Sequence, residues 1–324
     1  MTSPPDAAEQ GPPSETFRQR ATRMIVPALV SGGLIAWLLS GMDVSLLLES
    51  IAGLPWELLV PLTLAMVTAL YLWDAVCLRL VFVVGNRMLP YQTALYVQGI
   101  ASLFSAVNYQ LGQGFVAWLI AVRQRTSFLS ALSRSVLLAI HDLGVLFTLG
   151  WIGSMIRSDA GPQVHGIRLL CSLGLLALVA LAFGYRFLPH ARRQALRASK
   201  FGAWIESWSW QRTGLLLLLR LAYFGISITY ASIAFHVAGV GVDMSDILGA
   251  VPLVLVAGSL PSVSDLGTRE TALVLLLAPA SIELVVAVSL LWSSGMIAGR
   301  LIIGSTAISV AAITRRRSIV SGGV

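Results

Sequence analysis

Apolar residues along this chain gather into runs far longer than the buried stripe of a soluble helix, and short polar or charged segments separate them. The runs at 58–84, 135–156, 166–188, 214–238 and 282–313 each reach or exceed the roughly 20 residues that carry an α-helix across hydrocarbon. A sixth run, at 24–39, follows Arg18, Arg20 and Arg23. It has the layout of a signal-peptide core, but no small-residue cleavage site follows and more apolar runs come after, so it reads as an uncleaved first span. Six full spans are predicted.

Two further apolar stretches, 91–122 and 247–279, are split by glycine and polar side chains. Asn108, Tyr109, Gln110, Gly112, Gln113 and Gly114 break the first; Pro261, Ser262, Ser264, Asp265, Gly267, Arg269 and Glu270 break the second. Each half is too short to cross alone. Unpaired peptide groups in hydrocarbon cost several kcal/mol, so irregular backbone at membrane depth must be covered by protein or line a watery cavity. Both stretches are therefore predicted to be re-entrant helical hairpins. Residues 1–16, with Pro4, Pro5, Pro12 and Pro13 among polar neighbours, bury no apolar area and read as a disordered tail.

Composition agrees with the pattern. Hydrophobic residues make up 56% and charged residues 11%, against roughly 25% charged in a soluble domain, which excludes a water-soluble fold. The net charge of +7 does not indicate nucleic acid, because the cations sit at the ends of apolar runs, where topology needs them. Cys77 and Cys171 lie inside apolar segments and read as small buried hydrophobes.

Charge placement also predicts sidedness, since cytoplasmic loops collect Lys and Arg. The arginines before the first run put the N terminus inside, and the next loop, with Asp43, Glu49 and Glu57, lies outside. Arg87 returns inside. Arg123 and Arg125 also belong inside, so the stretch between them and Arg87 enters and leaves on one face. Arg157, Asp159 and Arg168 fall outside, Arg192, Arg193, Arg197 and Lys200 inside, and Asp243 and Asp246 outside. The second hairpin is reached from outside, and Arg315, Arg316 and Arg317 are cytoplasmic. The predicted location is the cell (inner) membrane with both termini cytoplasmic.

The predicted fold class is an all-α polytopic membrane protein built from two copies of one unit (span, span, re-entrant hairpin, span) inserted in opposite orientations. The parts are a cytoplasmic tail at 1–16, a first repeat at 17–157, a second at 158–314 and a basic tail at 315–324. Gly112 and Gly267 lie 155 residues apart, and positions 58 and 214 lie 156 apart. Inverted repeats with broken helices near the midplane point to a transporter with its site at the breaks.

Ionisable residues inside membrane spans persist with partners or a purpose. Here they are Asp74, Arg79, Arg134, His141, Asp142, Arg220, Asp265, Arg269, Glu270, Glu283 and Arg300. Arg134 and Glu283 lie near span ends and can snorkel, as can Arg220; Asp74 and Arg79 could pair, and His141 could be a satisfied core side chain. The segment 260–270 is the richest. Ser264 or Asp265 can cap the restarting half-helix, Gly267 permits close backbone approach, the helix N terminus favours an anion, and Arg269 carries a fork that suits phosphate. An internal ion pair pinning the hairpin is the competing role for Arg269 and Glu270.

At these residues the chain resembles the lysylphosphatidylglycerol synthase transmembrane region family, a flippase-like membrane domain that also occurs free-standing. Pro261, Gly267, Arg269 and Glu270 match the family's late motif of proline, glycine-rich turn and Gly-x-Arg-Glu-like element. Arg300 is similar to the arginine that follows it, Arg79 to the one closing the second span, and Asp142 to the aspartate after the first hairpin. In that hairpin Asn108 and Gly112 remain, but Gln110 stands near the expected proline and Gly114 near the expected glutamate. The resemblance covers essentially the whole chain after residue 23.

The resemblance implies movement of a polar-headed phospholipid or modified lipid between leaflets. Arg269 with Arg79 or Arg300 would engage a phosphate, and Glu270 and Asp265 would balance charge, with Ser264, Gly267, Asp142, Asn108 and Gly112 completing the site. Relatives carry a cytoplasmic aminoacyltransferase domain for which this chain, ending at Val324, has no room, so a separate lipid-modifying enzyme is the expected partner. No cofactor or metal is expected, since no nucleotide-binding loop, metal-ligand spacing or nucleophile–base set stands out. An embedded enzyme or accessory of lipid glycosyl transfer, with Asp142 or Glu270 as base, and a non-catalytic scaffold are the alternatives.

Overall fold

The computed structural model describes Leu29 and residues 31–84, 87–156, 162–199, 209–258, 267–277 and 281–321. The helices are α1 (Ser31–Ser40), α2 (Val44–Ala52), α3 (Trp56–Val81), α4 (Tyr91–Ser105), α5 (Tyr109–Gln124), α6 (Phe128–Ile156), α7 (Pro162–Phe187), α8 (His190–Ala198), α9 (Trp210–Val237), α10 (Met244–Gly258), α11 (Thr268–Leu276) and α12 (Ile282–Ser321). A two-residue antiparallel ladder, β1 (Val83–Val84) with β2 (Arg87–Met88), joins α3 to α4. Five helices, α3, α6, α7, α9 and α12, are long and apolar enough to cross a membrane, and α1 with α2 would make a sixth span if counted as one. Large apolar side chains such as Leu169, Leu173 and Leu176 point outward, a surface that suits lipid tails better than water. The chain is an all-α polytopic membrane protein.

Two elements depart from expectation. The first span, expected as one run over 24–39, is described from Ser31 to Ser40, and the chain then turns by 99° into α2. Asp43 fixes the turn: its carboxylate accepts from the N–H groups of Ser45 at 2.9 Å and Leu46 at 3.4 Å, capping α2. At the other end α12 continues to Ser321, so the basic segment expected as a separate tail prolongs the last helix.

The first broken stretch is an antiparallel helical hairpin. The rings of Phe104 and Phe115 stack near its tip with centroids 3.9 Å apart, and Arg123 lies over Tyr96, 4.1 Å from its centroid, near its base. Asn108 turns the corner by accepting from the Leu111 N–H at 3.3 Å. A Cβ on Gly112 would collide with the side chain of Ser105, so only glycine lets the start of α5 touch the end of α4. In the second broken stretch α10 and α11 also pack on each other.

The principal helix packings come in matched pairs. α4 lies on α12 as α10 lies on α6, α5 on α6 as α11 on α12, α3 on α4 as α9 on α10, and α3 on α12 as α9 on α6. The correspondence reaches single residues. A Cβ on Gly99 of α4 would lie 2.6 Å from Ala307 Cβ, and one on Gly304 of α12 would lie 3.1 Å from the Gly99 carbonyl oxygen. In the other half a Cβ on Gly153 of α6 would lie 2.5 Å from the Cα of Gly249 in α10. Small residues let apolar helices approach closely enough to gain dispersion energy, the main attraction left between helices solvated by lipid.

The helix directions are equally regular. Thr63 meets Tyr230 and Trp73 meets the Leu219 carbonyl, so α3 and α9 run antiparallel. Gly295 sits on Thr63 and Gly299 on Val67, so α3 and α12 are parallel. Asp142 meets Arg220, and Val145 and Leu146 cluster with Phe224, so α6 and α9 are parallel too.

Candidate functional site

Four charged side chains gather where α3, α6, α9 and α12 pass one another. Arg220, which could have snorkelled, is 2% exposed. Its Nη1 donates to Asp74 Oδ1 at 2.7 Å and its Nε to Asp142 Oδ1. Two edges of one guanidinium therefore tie α9 to α3 and α6. Its face also lies 4.0 Å from the Tyr223 ring centroid, a cation–π contact strengthened by desolvation. Asp74 is thus the partner of Arg220 and not of Arg79. Arg79 donates to the Leu89 carbonyl at 3.0 Å and closes the α3–α4 connection. Arg134 similarly reaches back to the Val83 carbonyl at 3.1 Å, and His141 is buried with Nδ1 2.8 Å from the Leu137 carbonyl oxygen.

Beside this cluster is a polar cavity of about 40 Å³, room for about two or three waters. Tyr71 and Asp74 of α3, Gln98, Ser102 and Ser105 of α4, and Gln113 of α5 form one side; Tyr223 of α9 and Arg300 of α12 close it. The second oxygen of Asp74 accepts from Gln98 Nε2 at 3.3 Å. Arg300 donates to the Ser105 carbonyl at 3.0 Å. That oxygen belongs to the last turn of α4, which has no intrahelical donor, so a cation there satisfies both the hydrogen bond and the helix dipole. The tip of the first hairpin is therefore held against α12 by Arg300, with the cavity alongside.

The second hairpin is built differently. Gly267 has φ +84°, and a Cβ there would lie 2.9 Å from the Ser31 carbonyl oxygen, so both conformation and space demand glycine. Glu270 folds back to accept from the Gly267 N–H at 2.7 Å and closes the start of α11. Its other oxygen accepts from Ser289 at 3.1 Å and Ser293 at 2.8 Å. Arg269 lies over the Trp292 ring, 4.9 Å from its centroid, with Nη1 3.4 Å from Ser293 Oγ. Arg269 and Glu270 are 4% and 1% exposed, within a core that includes Leu273, Val285 and Trp292.

The residues singled out from sequence thus separate. Arg300 lines the cavity, Asp142 reaches it through Arg220 and Asp74, and Gly112 packs on Ser105 at its edge. Arg79 and Asn108 serve the connections at the base and tip of the first hairpin, and Gly267, Arg269 and Glu270 sit in the second. Ser264 and Asp265 lie outside the described residues. Tyr71, Gln98, Ser102 and Tyr223 were missed. Their signal is spacing: Gln98 and Ser102 are four apart on one face of α4, and Arg220 and Tyr223 three apart on α9. Among the described residues no group of three His, Cys, Asp or Glu side chains could hold a metal ion. Comparison with family models, curated proteins and solved structures finds no match to this chain.

Proposed function

We propose that this chain translocates a polar-headed phospholipid between leaflets, as the flippase-like transmembrane region of lysylphosphatidylglycerol synthases does. The observation that carries the reading is the polar cavity beside the tip of the α4–α5 hairpin, with Arg300 and Asp74 on its wall in the midst of apolar helices. In the proposed architecture each half contributes three spans and a re-entrant hairpin, the halves are inverted, and both termini are cytoplasmic in the cell membrane. The matched packings, the glycine crossings of α4 with α12 and α6 with α10, and the antiparallel α3 and α9 all support it.

Arg300 supplies a phosphate with a planar donor fork. The cavity has room for water but not for a headgroup, so passage requires the hairpin tip to move from α12, exchanging the Ser105 carbonyl on Arg300 for a lipid phosphate. The reading is tested in proteoliposomes with a fluorescent short-chain phosphatidylglycerol, quenched from outside. Wild type should progressively expose the inner-leaflet probe to the external quencher, and Arg300→Gln should not. Equal rates in the two would exclude Arg300 as the headgroup site. Cysteines at Asp246 and Ser281 should react from outside, and one at Arg125 from inside; labelling of Asp246 and Ser281 from opposite faces would contradict the second re-entrant hairpin.

A further inference from the structure

We infer that Asp74 takes up a proton when an anionic headgroup docks on Arg300, so that lipid and proton move together; the inference rests on the translocator reading and names its coupling ion. Among the described residues on the cavity wall, Asp74 and Arg300 are the two that carry full charge. Behind them Arg220 joins Asp74 to Asp142. Two carboxylates and two guanidiniums make a neutral set. A phosphodiester bound to Arg300 adds one negative charge to a space enclosed by apolar helices, where an uncompensated charge is strongly disfavoured.

The compensating proton has a definite destination. Asp142 is buried against Arg220, away from the cavity wall, whereas Asp74 lies on that wall. Its Oδ1 keeps the Arg220 bond in either protonation state, and its Oδ2 faces Gln98. A glutamine suits both states. Its Nε2 donates to the carboxylate, and after the amide turns over its Oε1 accepts from the acid. The step is a proton transfer from hydronium in the cavity to Asp74 Oδ2, leaving water, and it reverses when the lipid leaves.

The other groups around Asp74 act on it without replacing it. On α3 these are Tyr71 and Cys77, on α9 Arg220 and Tyr223, and on α12 Arg300. From α6, Asp142 and His141 act through Arg220. α4 and α5 present neutral Gln98 and Gln113.

The test is calorimetric titration of purified wild type in detergent with dihexanoyl-phosphatidylglycerol, in two buffers of different ionisation enthalpy. About one proton should be taken up per lipid, and affinity should weaken about tenfold for each pH unit above the Asp74 transition. Dihexanoyl-phosphatidylcholine, which brings its own cation, should bind with no uptake. In Asp74→Asn, already neutral, phosphatidylglycerol should bind with no proton uptake and no pH dependence. Anionic lipid bound by wild type without proton uptake, or uptake that persists in Asp74→Asn, would overturn the inference and leave the translocator reading standing. If folded wild type binds neither lipid, both fall. A wild-type count of zero overturns the inference even where the variant does not fold.

Discussion

The two hairpins occupy corresponding places in the fold and use charge in opposite ways. In the second, Arg269 and Glu270 are immersed in the core, and Glu270 alone accepts three hydrogen bonds. In the first, the hairpin itself has a neutral tip, and the charge comes from neighbours: Arg300 of α12 and Asp74 of α3, facing a cavity with Gln98 and Gln113. A buried carboxylate with both oxygens hydrogen-bonded, as in Glu270, holds a segment still, because pulling it away leaves a buried charge and its donors unsatisfied. A cation that meets one carbonyl beside a wet cavity can exchange that partner for a ligand. Density of charge in the sequence therefore marks the pinned hairpin, and the exchangeable group belongs to the other.

That contrast can be broken by mutation, in order of expected loss of stability. Glu270→Ala removes three hydrogen bonds and leaves Arg269 beside a gap. With about 1–2 kcal/mol for each of the three buried donors left without its acceptor, it should cost about 3–5 kcal/mol, read as a large drop in the unfolding temperature in detergent. An unchanged temperature would mean that the second hairpin is not pinned. Gly112→Val drives side-chain carbons into Ser105 and should cost about 1–3 kcal/mol. Adding Ser105→Gly should recover most of that loss, a coupling that would confirm the contact at the first tip. Arg300→Gln should cost about 1 kcal/mol, since glutamine can still donate to the Ser105 carbonyl, yet abolish lipid movement. Arg79→Gln should lower stability by less than about 1 kcal/mol and leave translocation near wild type, because Arg79 serves the Leu89 carbonyl.

The sequence carried the coarse architecture because hydropathy and glycine placement are local. The break near Asn108 follows from polar side chains interrupting an apolar run. The 99° turn at Asp43 was also local, an Asp cap ahead of Ser45, but in an acidic segment it reads as a loop. The partners of Arg220 were not legible. Asp74 and Asp142 lie 146 and 78 residues away, and only the crossing of α3, α6 and α9 brings them together. The cavity was hidden for a related reason: Gln98, Ser102 and Tyr223 are neutral and ordinary in apolar helices until the fold aligns them with Asp74 and Arg300.

The central claim, a wet tip in the first hairpin and a dry pin in the second, is tested most directly by thiol accessibility. With Cys77 and Cys171 replaced by alanine, single cysteines at Gln113 and at Ser293 are exposed in native membranes to a small charged methanethiosulfonate reagent. The account predicts that Gln113→Cys is modified when the hairpin tip moves from α12 and opens the cavity, and is protected by excess short-chain phosphatidylglycerol, while Ser293→Cys stays unreacted until the protein is unfolded. Rapid modification at Ser293 with none at Gln113 would contradict it and move the site to the second hairpin.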